Sequence, residues 1–330
     1  MDKSEKRQQK RDLHTGVDEF ISSFRFGEAE THGNLTVIPV FAGAASEDGY
    51  VLLDEGLETR KVLVEEISEG GSVPELLVKN GLTDLDLLLL QGDLLIGAKQ
   101  NRTVNATLVV PRKTTMKIPV SCVEQGRWHY QGRHFRASKS HLHPSLRKKS
   151  HRAVSESLKA SAGRSYQADQ SAVWEDIHAK SGRMHVSSPT SSMEDIYETR
   201  EQEIEALETK FTLHEGQTGF VAAISGKIVG CEAFGSRSIL PRVYRKILRG
   251  YILDAIDSAD VLTKKGAAPG KGPRDWQRSA RRFLDKAAAM KRENYKSLGA
   301  GTEARFEDKS SSGSALLDDK GQVVHLAVFA

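Results

Sequence analysis

Short apolar segments crowd one another between residues 61 and 121, at 61–67, 75–78, 85–90, 93–96, 104–110 and 116–121. The breaks between them are Gly70-Gly71, Asn80-Gly81, Gln91-Gly92, Gly97 and Pro111, residue types that turn a chain or interrupt a ladder. Strands at this spacing close into sandwiches or barrels, because a parallel sheet needs a crossover of about a dozen residues between strands. Leu87 to Leu90 is apolar at consecutive positions, which buries both faces of its strand and makes it central. An earlier strand, 35–41, contains Pro39, whose missing N–H marks an edge or a bend.

The flanks read differently. After a polar tail at 1–14, Val17, Phe20, Ile21 and Phe24 recur at helical spacing. Helices are expected at 146–160, 171–179 and 193–211, the last with Met193, Ile196, Tyr197, Ile204, Leu207 and Phe211 on one stripe. Segments 219–224 and 227–234 form a hairpin about Ser225-Gly226, and a long helix follows from Ser238, with Arg242, Arg245, Lys246 and Arg249 mostly on its polar side. A Gly/Pro/Lys loop at 266–273, a helix at 274–291 and strands at 295–298, 302–307, 314–317 and 322–329 complete the chain. The expected class is α+β: a β-rich, sandwich- or barrel-like N-terminal part, a helical insert, and a C-terminal sheet packed by helices. The expected division is 1–30 (tail and short helix), 31–135 (β-rich), 136–212 (basic linker and helical insert) and 213–330 (α+β).

Apolar residues make up 38% and charged residues 28%, the balance of a globular chain, and the net charge of +4 compels no anionic partner. Cys122 and Cys231 lie too far apart in the chain to read as a disulfide framework, which fits a reducing compartment. No apolar run approaches the roughly 20 residues of a membrane span, and the first residues lack the apolar core of a secretory signal. The expectation is a cytoplasmic protein with no membrane partner.

Gly97-Ala98-Lys99-Gln100-Asn101-Arg102 puts a glycine, two cations and two amides between expected strands. Such a turn suits an anion: backbone N–H groups can point at phosphate oxygens, Lys99 offers a point charge and Arg102 a planar fork. It is not a P-loop, lacking the lysine followed by Ser or Thr and the helix after it. The competing reading is a tight turn whose amides hold backbone and whose cations are solvated or pair with Glu75 or Asp93. Glu124 and Trp128 supply an acid and an aromatic platform, although a tryptophan at a strand end also serves as a core cap. Gly70-Gly71-Ser72 is a weaker anion nest, and Cys122 reads as a small buried hydrophobe.

Taken together, Ser68-Glu69-Gly70-Gly71-Ser72-Val73-Pro74-Glu75-Leu76, Gly97 to Arg102, and Ile118-Pro119-Val120-Ser121-Cys122-Val123-Glu124-Gln125-Gly126-Arg127-Trp128 resemble a bacterial and archaeal family. This is the ADP-ribosylglycohydrolase and rhodanese-phosphatase associated protein domain, formerly a domain of unknown function, and the resemblance runs from about Leu35 to the C-terminus. It implies a link to ADP-ribose or NAD-derived metabolites and brings no catalytic residues and no cofactor with it.

The ligand-binding candidates are therefore Gly97, Lys99, Gln100, Asn101, Arg102, Glu75, Glu124 and Trp128, for a phosphorylated nucleotide derivative such as ADP-ribose or an NAD-related metabolite. A hydrolase acting on an ADP-ribosyl or phosphoester bond would draw its acid or base from Glu75, Asp93 or Glu124. A different partner, nucleic acid, is suggested by the stretch 125–155, which has no acidic residue and presents Arg133, Arg136, Lys139, Arg147, Lys148 and Lys149. The acidic stretch 193–208 is the internal alternative for those charges. His141 and His143 lack a completing ligand, and no metal site is expected.

Overall fold

The computed structural model describes residues 15–43, 49–68, 70–264, 270, 272 and 274–330. The expected tail at 1–14, most of the expected loop at 266–273, and Glu69 of the first motif lie outside the described residues. The fold is α+β, with several sheets, one of them curled like half a barrel. Contacts gather the chain into two units, one of residues 1–48, 209–244 and 268–330, the other of 49–208 and 245–267.

The first unit is one antiparallel nine-stranded sheet, in the order Arg25–Phe26, Leu35–Phe41, Gly219–Ile224, Lys227–Phe234, Val323–Phe329, Ser312–Leu317, Thr302–Glu307 and Arg292–Lys296, with Glu30–His32 also on Leu35–Phe41. Leu35–Phe41 thus pairs with a hairpin almost two hundred residues later rather than with the strands that follow it. Its outer partners cover residues 35–37 and 40–41, and the gap between them falls at Ile38 and Pro39, where the ladder has no proline N–H to use. Ser225 and Gly226 turn the hairpin with φ of 49° and 82°, the left-handed pair of a type I′ turn. The helix through 15–22 and the helix Trp276–Ala288 cover one face, burying Val17, Phe20, Ile21, Ala280 and Leu284 against Val221, Ala233 and Leu326.

In the second unit a six-stranded sheet runs Phe135–His141, Asp93–Gly97, Arg102–Val104, Thr114–Cys122, Glu75–Asn80 and Val62–Glu66. It curls until its edges touch, through an antiparallel bridge between Glu65 and His134. A three-stranded sheet, Leu108–Val110, Asp86–Leu89 and Tyr50–Leu52, completes the core, with Leu87 to Leu90 central and buried as their composition requires. The expected strand at 104–110 is two strands. Asn105 divides them, because its amide group is held by Ser121 and the Tyr166 carbonyl and its N–H by the Pro119 carbonyl. Phe135–His141 was not expected as a strand: Phe135 and Ala137 face the core while Arg136 and Lys139 face out, so its pattern reads as a charge run.

Helices of this unit include Pro144–Ala160, Gln170–Arg183, Met193–Thr199 and Glu201–Glu208. The single helix expected at 193–211 breaks at Arg200, whose guanidinium is drawn to the Met184 carbonyl and to Asp260. The long helix Ile239–Lys264 contributes its residues from Arg245 onward, and Gly250 lets its backbone approach residues 141–143, since a Cβ there would meet the His141 carbonyl at 2.9 Å. Lys246 and Arg249 are buried rather than on a polar side. Lys246 pairs with Asp54 and Asp93 at 2.8 and 2.9 Å, and Arg249 with Glu201 and Glu208. Among the described residues, no helix is long and apolar enough to cross a membrane.

Candidate functional site

The turn between the strands Asp93–Gly97 and Arg102–Val104 has two left-handed residues in succession, Gly97 at φ 122° and Ala98 at φ 41°. Such a turn needs an external clamp, and Arg127 is that clamp. Its guanidinium, buried, donates to the carbonyls of Ala98 (2.6 Å), His129 (3.2 Å) and Gly97 (3.3 Å), to Asn101 Oδ1 (3.0 Å) and to both Glu124 oxygens. Glu124 returns the chain to the turn by accepting from the Asn101 N–H at 3.0 Å. Burial alone would raise the Glu124 carboxyl, but Arg127, the Asn101 N–H and the Thr190 hydroxyl hold it below the ordinary carboxylate range.

The amides serve this scaffold. Asn101 Oδ1 accepts from the Gly97 N–H at 3.0 Å, its Nδ2 donates to Ser192, and Gln100 accepts from Arg102 while donating to the Gln125 carbonyl. The N–H groups of Gly97 and Asn101 are therefore turned inward, away from any anion at the turn.

Those cations are differently placed. Arg102 is fully buried, bonded to Gln100 and 3.5 Å from Glu66 Oε1, and burial pushes its guanidinium down. Lys99 lies under two rings, its ammonium 5.4 Å from the centre of Trp128 and 5.2 Å from that of Tyr130, and among the described residues it has no carboxylate partner. Trp128 and Tyr130 are 46% and 45% exposed, and Arg102 also lies over the Trp128 ring, 5.6 Å from its centre. Beside them, at the seam where the curled sheet meets itself, opens a cleft of about 700 Å³ lined by Glu65, Glu66, Ser68, Tyr130 and Arg133. Barrel mouths are recurrent ligand sites for the same reason, a rigid rim around a concave end.

The structure thus brings together Gly97, Lys99, Gln100, Asn101, Arg102, Glu124 and Trp128. Glu75 stands apart, because it begins the strand Glu75–Asn80 opposite Pro119 and its exposed carboxylate pairs with Lys117 at 3.2 Å. Asp93 is taken by Lys246 and the Leu90 N–H, and Glu124 by Arg127, so neither is an uncommitted acid or base. Burial pushes the Cys122 thiol up to about 11, which suits a packed hydrophobe and not a nucleophile.

Sequence reading missed Glu66 and Arg127 as a clamp, and took Gly71 only as part of a weak anion nest. Glu66 was signalled by alternation: Val62 and Val64 face the core, and Glu66 is the next residue on that buried face. Gly71 has φ 77°, and a Cβ there would lie 3.2 Å from both Lys99 Cδ and Trp128 Cζ2. Gly71→Ala is therefore expected to cost about 1 kcal/mol or more, read as a lower urea midpoint at unchanged slope. An unchanged midpoint would show that the turn yields.

Of the cations considered for nucleic acid, Arg133 and Arg136 are exposed, and Lys139 and Lys149 are exposed but paired with Glu201 and Asp176. Lys148 is half-buried. Arg147 is buried and donates to Gln91 Oε1 at 3.1 Å, which removes it from any such surface. No group of three or more potential metal ligands occurs among the described residues.

No curated protein and no solved structure matches this chain. The family model described as the ARG and Rhodanese-Phosphatase-superfamily-associated Protein domain matches residues 23–329, which includes both units almost entirely and every residue of the site just described. The chain belongs to that family.

Proposed function

We propose that the cleft beside the Gly97–Arg102 turn binds a phosphorylated nucleotide derivative of the ADP-ribose or NAD type. Lys99 carries the reading. Arg102 and Arg127 face Glu66 and Glu124, whereas the Lys99 ammonium of the same turn has no carboxylate partner among the described residues; Arg133, on the cleft wall, adds an exposed cation. Lys99 is held in place by two aromatic rings that are themselves exposed. A phosphate placed on Lys99 would bring an attached base or ribose within reach of Trp128 or Tyr130, where stacking contributes about 1–3 kcal/mol per base. The family's association with ADP-ribosylglycohydrolases supports the same class of ligand.

Lys99→Met keeps the aliphatic stem between the rings and removes the charge. In calorimetric titration it is expected to weaken ADP-ribose or NAD about tenfold or more, the worth of a charge-assisted hydrogen bond, with little change in melting temperature. An unchanged affinity would reject the reading. Stabilisation only by single-stranded oligonucleotides, and only at low salt, would move the function to the exposed Arg133 and Arg136. Arg102→Ala is a poor substitute, since it empties a fully buried site.

A further inference from the structure

We propose that Glu66 reads a hydroxyl-bearing part of the ligand, so that the site takes a ribose-containing phosphate and discriminates against a bare polyphosphate. This assignment rests on the nucleotide reading above. Glu66 closes the strand Val62–Glu66 on its inward face and is only 7% exposed, yet it lines the cleft. Its Oε1 faces Arg102 Nη2 at 3.5 Å. Its Oε2 is buried and has no hydrogen-bond partner among the described residues, and the same holds for Arg102 Nε. Natural proteins rarely leave such atoms unmet, and where they do a ligand is one of the reasons.

The chemistry of the missing partner follows from the carboxylate, which only accepts. A phosphate oxygen set against Oε2 would be repelled, whereas a neutral O–H would complete it, and a ribose diol offers two. Gly71 stands next to that oxygen, since a Cβ there would lie 3.5 Å from it. Lys99 and Glu66 thereby divide the ligand, the cation taking the phosphate and the carboxylate the sugar. Ser68, on the same wall, adds a group that donates or accepts.

The test is calorimetric titration of the full chain with ADP-ribose and, separately, with pyrophosphate, for the wild type, Glu66→Gln and Glu66→Asp. Glu66→Gln is expected to weaken ADP-ribose about tenfold or more and to leave pyrophosphate unchanged or tighter, because it removes both the charge-assisted acceptor and a repelling charge. Glu66→Asp keeps the charge but withdraws the oxygens from the cleft, and the same selective loss is expected, which decides the matter if the glutamine variant misfolds. Equal loss for both ligands, or full affinity of both variants for ADP-ribose, would overturn the role of Glu66 alone. A wild-type chain that binds no ADP-ribose would overturn the nucleotide reading and this assignment with it.

Discussion

Replacing Arg127 by alanine is expected to destabilise the curled-sheet unit by about 3–5 kcal/mol and to remove the ligand site together with it. The size follows from what the guanidinium leaves behind. Glu124 is buried and would lose its cation, while the carbonyls of Gly97, Ala98 and His129 and the Asn101 side chain would lose a donor. Each unmet buried polar group costs about 1–3 kcal/mol, and a buried charge without its partner costs more. Lysine should not rescue, because an ammonium cannot hold Glu124 on one side and the turn carbonyls on the other as a planar fork does. Native-state hydrogen exchange reads the effect locally, as protection lost first at 97–104 and 120–127. A loss below about 1 kcal/mol, with protection intact there, would mean that the turn is held by its own backbone.

Much of the architecture was legible because it depends on local rules. The hairpin at Ser225-Gly226, the central strand Leu87 to Leu90 and the dense strand run after residue 61 follow from turn chemistry and alternation, which act over a few residues. Pairing at a distance was not legible. Nothing near Leu35–Phe41 announces Gly219–Ile224 as its neighbour, and nothing near Lys246 announces Asp54 and Asp93. Lys246 and Arg249 look solvated on a helical wheel because a wheel carries no information about carboxylates brought up from other elements. The site was half legible for the same reason. Residues 97–102 and 124–128 stand out as punctuation, but Glu66 becomes a site residue only when the sheet curls and brings it against Arg102. The strand Phe135–His141, the other side of that seam, was hidden by its own outward cations.

The second large effect is expected at Lys180, and its signature is its dependence on pH. The Lys180 ammonium is fully buried between Asp254 (2.7 Å) and Asp257 (2.9 Å). Asp254 also faces His143 Nδ1 at 3.1 Å and accepts from the Ser145 N–H, and Asp257 accepts from Arg183. Burial alone would raise both carboxyls. Lys180 and His143 hold Asp254 well below the carboxylate range, and Arg183 and Lys180 lower Asp257. Carboxyls lowered in the folded chain contribute stability that is fully present above their unfolded value, about 3.9, and is lost as pH falls through the folded value. Burial would lower Lys180, but the two aspartates raise it overall, so its contribution is present below about 10.4 and lost only as pH rises past its folded value. The cluster therefore stabilises across the neutral range. Lys180→Met leaves Asp254 buried without its main cation, and at pH 7 it is expected to cost about 3–5 kcal/mol. With Lys180 gone, Asp254 loses the larger of the two cations that hold its carboxyl down, so the carboxyl rises from its wild-type position and acid protonates it more readily, relieving the unpaired charge. The difference between wild type and variant should then shrink as pH falls below about 4, where the wild type is also losing what Lys180 supplied. Urea titrations at pH 7 and pH 3.5 measure both ends. A difference that stays constant between them would show that Lys180 acts through its packed aliphatic stem and not through its charge.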